Sequence, residues 1–216
     1  MSSKVEICNM ALAAIRGKSI NSLTEPSREA QQCNLHYDIA RRFVLRDSPW
    51  QFAKKVVALQ LRTEEPLHWI YAYQYPGDCL NLRTVTGDYA FKTPVDTFDR
   101  PRVHYNDYIE PELSQPYEIH NDGDNKIIVT DVPEAYAIYT KNVELTTLFD
   151  AQFITAFSFY LGSLIAVPIS GVEIGSKMRS DSLSMYTSTM SAAVSAEMNE
   201  QRQPARREPA LVRARR

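Results

Sequence analysis

The sequence predicts an α+β fold: an α-helical bundle from the N- and C-terminal helices, a small antiparallel β-sheet domain inserted between them, and a flexible basic C-terminal tail. Three observations carry that prediction. Apolar residues recur at helical spacing in residues 1–52 and again in 149–201; they alternate with period two across the mainly β insertion, 53–148; and arginines dominate the tail, 202–216. At 216 residues, 44% hydrophobic and 23% charged, the composition is that of a globular chain and excludes disorder throughout. The formal charge of −2 conceals a division. Residues 202–216 hold six arginines against Glu208, a net of +5, which leaves −7 on residues 1–201.

The N-terminal helices come first. Ser3 and Glu6 have capping-box spacing, so the serine oxygen can accept from a first-turn amide while the glutamate reaches back. Val5, Cys8, Leu12 and Ile15 then fall on one face, and Gly17 supplies a stop. Pro26 suits the first turn of a second helix, whose stripe is Ala30, Cys33, Tyr37, Ala40 and Val44. A flanking stripe of Leu35, Ile39 and Phe43 widens the apolar face, which predicts burial on more than one side. Ser48-Pro49 ends this helix. Trp50 and Phe52 are assigned to the core junction between bundle and sheet.

The insertion follows. Val57, Leu59 and Leu61 alternate with Ala58 and Gln60, and Trp69, Tyr71, Tyr73 and Tyr75 repeat the alternation before a Tyr75-Pro76-Gly77-Asp78 turn. Further strands are read at 79–86, 117–120, 127–130 and 136–140. Between Ile119 and Ile127, the Asn-Asp-Gly-Asp-Asn run marks a hairpin, because Asn and Gly accept the positive φ of tight turns. Residues 93–116, with four prolines, read as a long loop.

From Asp150 the helical period returns. Residues 151–172 carry no charge, but Gln152, Thr155, Ser158, Ser163 and Pro168 favour an enclosed helix, in the core or at a subunit interface, over a membrane span. A last helix, 172–201, carries Leu183, Tyr186, Met190, Val194 and Met198 as a stripe for bundle or subunit packing. Its many serines and alanines allow a neighbouring helix to approach closely.

The chemistry-bearing residues form no recognisable catalytic pattern. His36, His68, His104 and His120 are scattered and lack metal-site spacing. No serine lies in a Gly-x-Ser-x-Gly turn. Cys8 and Cys33 lie on apolar stripes, and three cysteines have the wrong parity for a disulfide framework, which points to a reducing compartment. The opening residues show no signal-peptide pattern. Residues 171–177 (Gly-Val-Glu-Ile-Gly-Ser-Lys) depart from a phosphate loop in spacing, in the order of Ser and Lys, and in carrying Glu173; a turn between helices fits better. The pairs Glu64–Glu65, Glu110–Glu112 and Asp122–Asp124 are sequence neighbours, whereas glycoside hydrolysis needs two carboxyls roughly 5–9 Å apart across a cleft. No catalytic residue, metal or cofactor is expected. Arg202, Arg206, Arg207, Arg213, Arg215 and Arg216 could neutralise phosphates or dock on an acidic protein.

One set of spaced signals is specific. Ile7-Cys8-Asn9-Met10-Ala11-Leu12, Ile15-Arg16-Gly17, Ile20-Asn21-Ser22-Leu23, Ala30 with Cys33, Tyr37-Asp38-Ile39-Ala40-Arg41, Leu45 and Pro49-Trp50-Gln51-Phe52-Ala53 resemble the tail tubular protein A family of short-tailed bacteriophages. Trp69-x-Tyr71-Ala72-Tyr73-Gln74-Tyr75-Pro76-Gly77-Asp78-Cys79-Leu80 extends the likeness, which covers residues 5–82; the arginine tail lies outside it. The resemblance implies a head-to-tail adaptor, a homo-oligomeric ring that is dodecameric in the family. It would sit in the virion between the portal protein and the tail nozzle (tail tubular protein B), after assembly in the host cytoplasm. Double-stranded DNA would pass through without sequence specificity, and no membrane would be involved. On this reading the arginine tail is a portal-docking arm. The competing classes are a tail-associated polysaccharide-degrading enzyme and a DNA-binding accessory protein acting through the arginines.

Overall fold

The computed structural model describes residues 3–63, 66, 68–87 and 114–200, with side chains through Ser195. Among the described residues the architecture is α+β: three α-helices and two three-stranded antiparallel sheets.

Helix α1 (Lys4–Ala14) starts on the expected capping box, with Ser3 Oγ accepting from the Glu6 amide at 3.1 Å and Glu6 accepting from the Ser3 amide at 2.7 Å. Its end differs from expectation. Arg16, not Gly17, takes the left-handed conformation (φ 56°), while the Gly17 amide donates to the Leu12 carbonyl and the Arg16 amide to that of Ala13. A Cβ at Gly17 would lie 3.1 Å from Leu12 Cδ2, so the leucine side chain would have to give way slightly to any larger residue there. Asn9 secures the exit by donating to the Ile20 carbonyl and accepting from its amide.

Helix α2 (Arg28–Asp47) is capped by Ser27, whose oxygen accepts from the Ala30 amide. Pro26 precedes the cap and so lies outside the first turn where the sequence placed it. Ala30, Cys33, Tyr37, Ala40 and Val44 are buried as a stripe, and Ser48 ends the helix before Pro49.

Helix α3 (Ala151–Glu200) is broken at Gly171, whose φ 77°, ψ 173° are not helical. The two predicted C-terminal helices are its arms, 151–170 and 172–200. They fold back antiparallel: Gly175 lies against Ala166 and Val167, Gly162 against Ser182, and the Tyr160 and Tyr186 rings are 5.2 Å apart. By length and composition α3 is apolar enough to cross a membrane. Here its first arm buries Phe153, Phe157, Leu161 and Ile165 in a core shared with α1 and α2. At about 1.5–3 kcal/mol per large apolar side chain, these four contribute on the order of 6–12 kcal/mol before entropy is counted.

Strands β1 (Lys54–Ala58), β6 (Tyr136–Lys141) and β3 (Cys79–Thr86) form one sheet in that order; β2 (Tyr71–Gln74), β5 (Asn125–Thr130) and β4 (Tyr117–Asp122) form the other. The β4–β5 hairpin pairs Asp122 with Asn125 around Gly123, which alone in the loop has positive φ (58°), as a type II′ turn requires of its first central residue. The sheets also meet at both edges. Past β1 the Arg62 amide donates to Ala72 and the Gln74 amide to Gln60, and before β4 the Gln115 amide donates to Val85. Between them lies a second core of Tyr73, Leu82, Val85, Ile128, Ala137 and Tyr139. Of the predicted loop 93–116, residues 93–113 lie outside the described residues.

Candidate assembly surface

Helix α2 has two apolar faces with different fates. The stripe through Tyr37 and Val44 faces the first arm of α3, with the Tyr37 and Phe157 rings edge to face at 5.0 Å. The flanking stripe, expected to be buried as well, is open to solvent: Leu35 and Ile39 are each 62% exposed and Phe43 44%. Within the single chain α3 covers the first stripe, and among the described residues it covers only the Phe43 end of the second. Phe43 lies flat on Tyr160 (4.3 Å, 5° between planes), so the ridge ends on a fixed aromatic shelf.

The second arm of α3 is also two-sided. Tyr186 and Met190 are buried with Ser182 and Ala193, and Leu183 is half-buried. Tyr186 donates to Asp47 at the end of α2, and burial, then this hydrogen bond, pushes its hydroxyl pKa up. Val194, read as part of the stripe for bundle or subunit packing, is 39% exposed in the single chain. The Met198 side chain and the six tail arginines lie outside the described residues.

Trp50 and Phe52 lie where α2 passes into β1. Trp50 is buried, donates from Nε1 to the Val44 carbonyl, and meets Phe153 edge-on at 5.2 Å; Phe52 packs on Phe149 and Phe153. Arg83 of β3 donates to the Trp50 carbonyl and to Thr140, tying the sheet to this point.

Sequence reasoning missed Arg41. It is buried, donates to Asn142 Oδ1 at 2.7 Å and to the Val143 carbonyl, and has Asp38 and Glu144 alongside. It therefore clips the segment after β6 onto α2. The available signal was its spacing of four from Tyr37, which puts a cation on the buried stripe. The Tyr75–Asp78 turn also holds more than a reversal. Asp78 accepts from Lys55 at 2.8 Å and from the Tyr139 hydroxyl at 2.6 Å. Burial and then the bond to Asp78 push the Tyr139 hydroxyl up to about 12. The turn walls a cleft of about 680 Å³ with Arg62, Gln74, Asp124, Asn125 and Lys126. Arg62 is paired there with Asp122 at 2.7 Å, and Lys126 sits over the Tyr75 ring.

Among the described residues no group of three His, Cys, Asp or Glu side chains is placed to hold a metal. Cys8 and Cys33 are free and buried against one another; the hydrogen bond to Cys33 and burial push the Cys8 thiol up. No protein-family model matches the chain, and no curated protein matches it.

Proposed function

We propose that this chain is a structural adaptor of the tail tubular protein A kind, a ring subunit placed between a phage portal and the tail nozzle. α1, α2 and the two arms of α3 act as the bundle that forms the ring, and the β-sheets project toward the nozzle. The observation that carries the reading is the exposed ridge Leu35, Ile39, Phe43 on a helix whose other face is fully buried. Large apolar side chains at i, i+4 and i+8 on an outer face mark an interaction surface, and the family-like signals at residues 5–82 run through the same helix. Packaged double-stranded DNA passes through the ring without sequence readout. Enzymatic chemistry is not part of this reading, and its site is a set of surfaces.

The tail is the portal-docking arm. The two arms of α3 run antiparallel, so the second arm returns toward the level at which the first begins. Fifteen extended residues reach up to about 50 Å, whereas a twenty-residue arm is about 30 Å long. A tail of this length is therefore enough to span an arm of α3 and reach a neighbouring ring. The test is negative-stain imaging of the protein with its portal ring. A coaxial second ring is expected, with weakened attachment when residues 202–216 are deleted; a chain that never associates with the portal refutes the adaptor reading.

A further inference from the structure

We infer that the ridge Leu35–Ile39–Phe43 of one copy packs against the outer face of the second α3 arm of another copy. This gives the adaptor reading its subunit contact, and it rests on that reading only for closure into a ring. Two surfaces of the same chain carry the argument. The ridge is about 12 Å long at 1.5 Å per residue, is made of large apolar side chains, and is braced by the Phe43–Tyr160 stack. The second surface is its complement in size. Residues 182–196 contain no Asp, Glu, Lys, Arg or His, and Ser184, Met185, Ser188, Ser191, Ala192 and Ser195 are exposed along about 17 Å of that face.

An outer helix face normally carries charge, and loss of charge is what distinguishes the centre of a protein interface. Large side chains on one helix and small ones on the other are the knobs and grooves that let two helices pack closely. Among the described residues, two helix faces are thus left largely without cover, and each supplies what the other lacks. A second copy satisfies both, whereas an unrelated partner would match only one. Because the two surfaces differ, the contact is heterologous and propagates from copy to copy, closing into a ring if the rotation allows. A contact limited by the ridge to about 12 Å in length and about 10 Å in width is well short of the roughly 800 Å² per partner of a standard interface. The pairwise contact is therefore weak, and cross-linking reads it better than sizing.

The experiment uses the full chain with Cys79→Ser, which leaves only the two buried thiols. Ile39→Cys and Ser188→Cys are made as separate variants, one carrying a mass tag, then mixed and treated with a short bis-maleimide. The expected product is a mixed dimer at several-fold the yield of either variant alone, and a ladder when both cysteines are in one chain. Adding Phe43→Glu to the Ile39→Cys chain, or Met185→Arg to the Ser188→Cys chain, should abolish the product, with circular dichroism confirming that each remains folded. A mixed yield no higher than that of the single variants, or products indifferent to Phe43→Glu and Met185→Arg, overturns the contact. Portal attachment is scored separately: a ladder without attachment removes the adaptor reading and keeps the contact, and attachment without a ladder does the reverse.

Discussion

Gly175 should be a site where the usual benefit of alanine in a helix is reversed. In an unobstructed helix, Gly→Ala stabilises by about 1 kcal/mol. At Gly175 the new Cβ would lie 2.7 Å from both the Ala166 carbonyl oxygen and Val167 Cα, and 3.0 Å from the Ala166 carbonyl carbon. All three are backbone atoms of the facing arm, so no side-chain rotation relieves the clash and the arms of α3 must separate. Overpacking costs about 1–3 kcal/mol, and a backbone obstruction belongs at the upper end. Setting about 3 against the gain of about 1 leaves a net loss near 2 kcal/mol, a fall in Tm of about 4–8 °C for a chain of this size. Gly77→Ala is the control, since nothing lies within 4 Å of its Cβ, and a small gain is expected from the stiffer unfolded chain. Thermal and urea unfolding of both variants decide the matter. A Gly175→Ala protein as stable as Gly77→Ala would refute the close approach of the two arms.

Other outcomes follow from the same geometry. Gly171→Ala should cost about 1–3 kcal/mol in urea unfolding, because φ 77°, ψ 173° is open to glycine almost alone. Arg16→Gly should stabilise by about 1 kcal/mol through relief of the left-handed conformation at the end of α1, seen as a higher Tm. Arg41→Met should destabilise by about 2–4 kcal/mol, since it strands the buried Val143 carbonyl, with faster hydrogen exchange in residues 142–146 as the local signature. Asp78 is held below its ordinary 3.8: burial opposes this, but the hydrogen bonds from Lys55 and Tyr139 outweigh it. Its contribution is thus present above 3.8 and lost as the pH falls through the folded value, so the Tm gap between wild type and Asp78→Asn should be flat near neutrality and close below about pH 3.8.

Most elements were legible because their causes are local. The Ser3–Glu6 box, the Ala30–Val44 stripe and the Asp122–Asn125 hairpin are each set by residues within a few positions of one another. What the sequence left open depends on distant partners. Nothing near Leu61 or Gln115 says that each bridges to the other sheet, to Tyr73 and to Val85. Arg16 occupies a left-handed position that a pattern reader gives to the adjacent glycine. The stripe Leu35, Ile39, Phe43 has the same spacing as a core stripe, and apolarity alone does not state whether the covering atoms belong to the same chain. Arg41 was hidden for the opposite reason, since a cation reads as surface until the carbonyl and amide that receive it are in view.

The acidity of the body is not spread evenly, and that locates a test of the DNA-conduit idea. Residues 53–148 hold nine basic and fifteen acidic residues, a net of −6, while residues 1–52 carry +2 and 149–201 carry −3. If repulsion keeps DNA sliding, the insertion supplies most of it. Asp124→Lys with Glu134→Lys, two exposed positions, would bring the insertion to −2. The comparison is made without residues 202–216, so that the arginines do not mask it. The parent should retain almost no DNA at low salt. The double variant should retain it with a log–log salt slope of about −2, since each phosphate contact contributes about −0.9. Equal DNA retention by the two proteins would show that the acidic insertion does not repel DNA. The charge asymmetry would then belong to protein docking, with the +5 tail meeting an acidic partner and the −6 segment meeting a basic one.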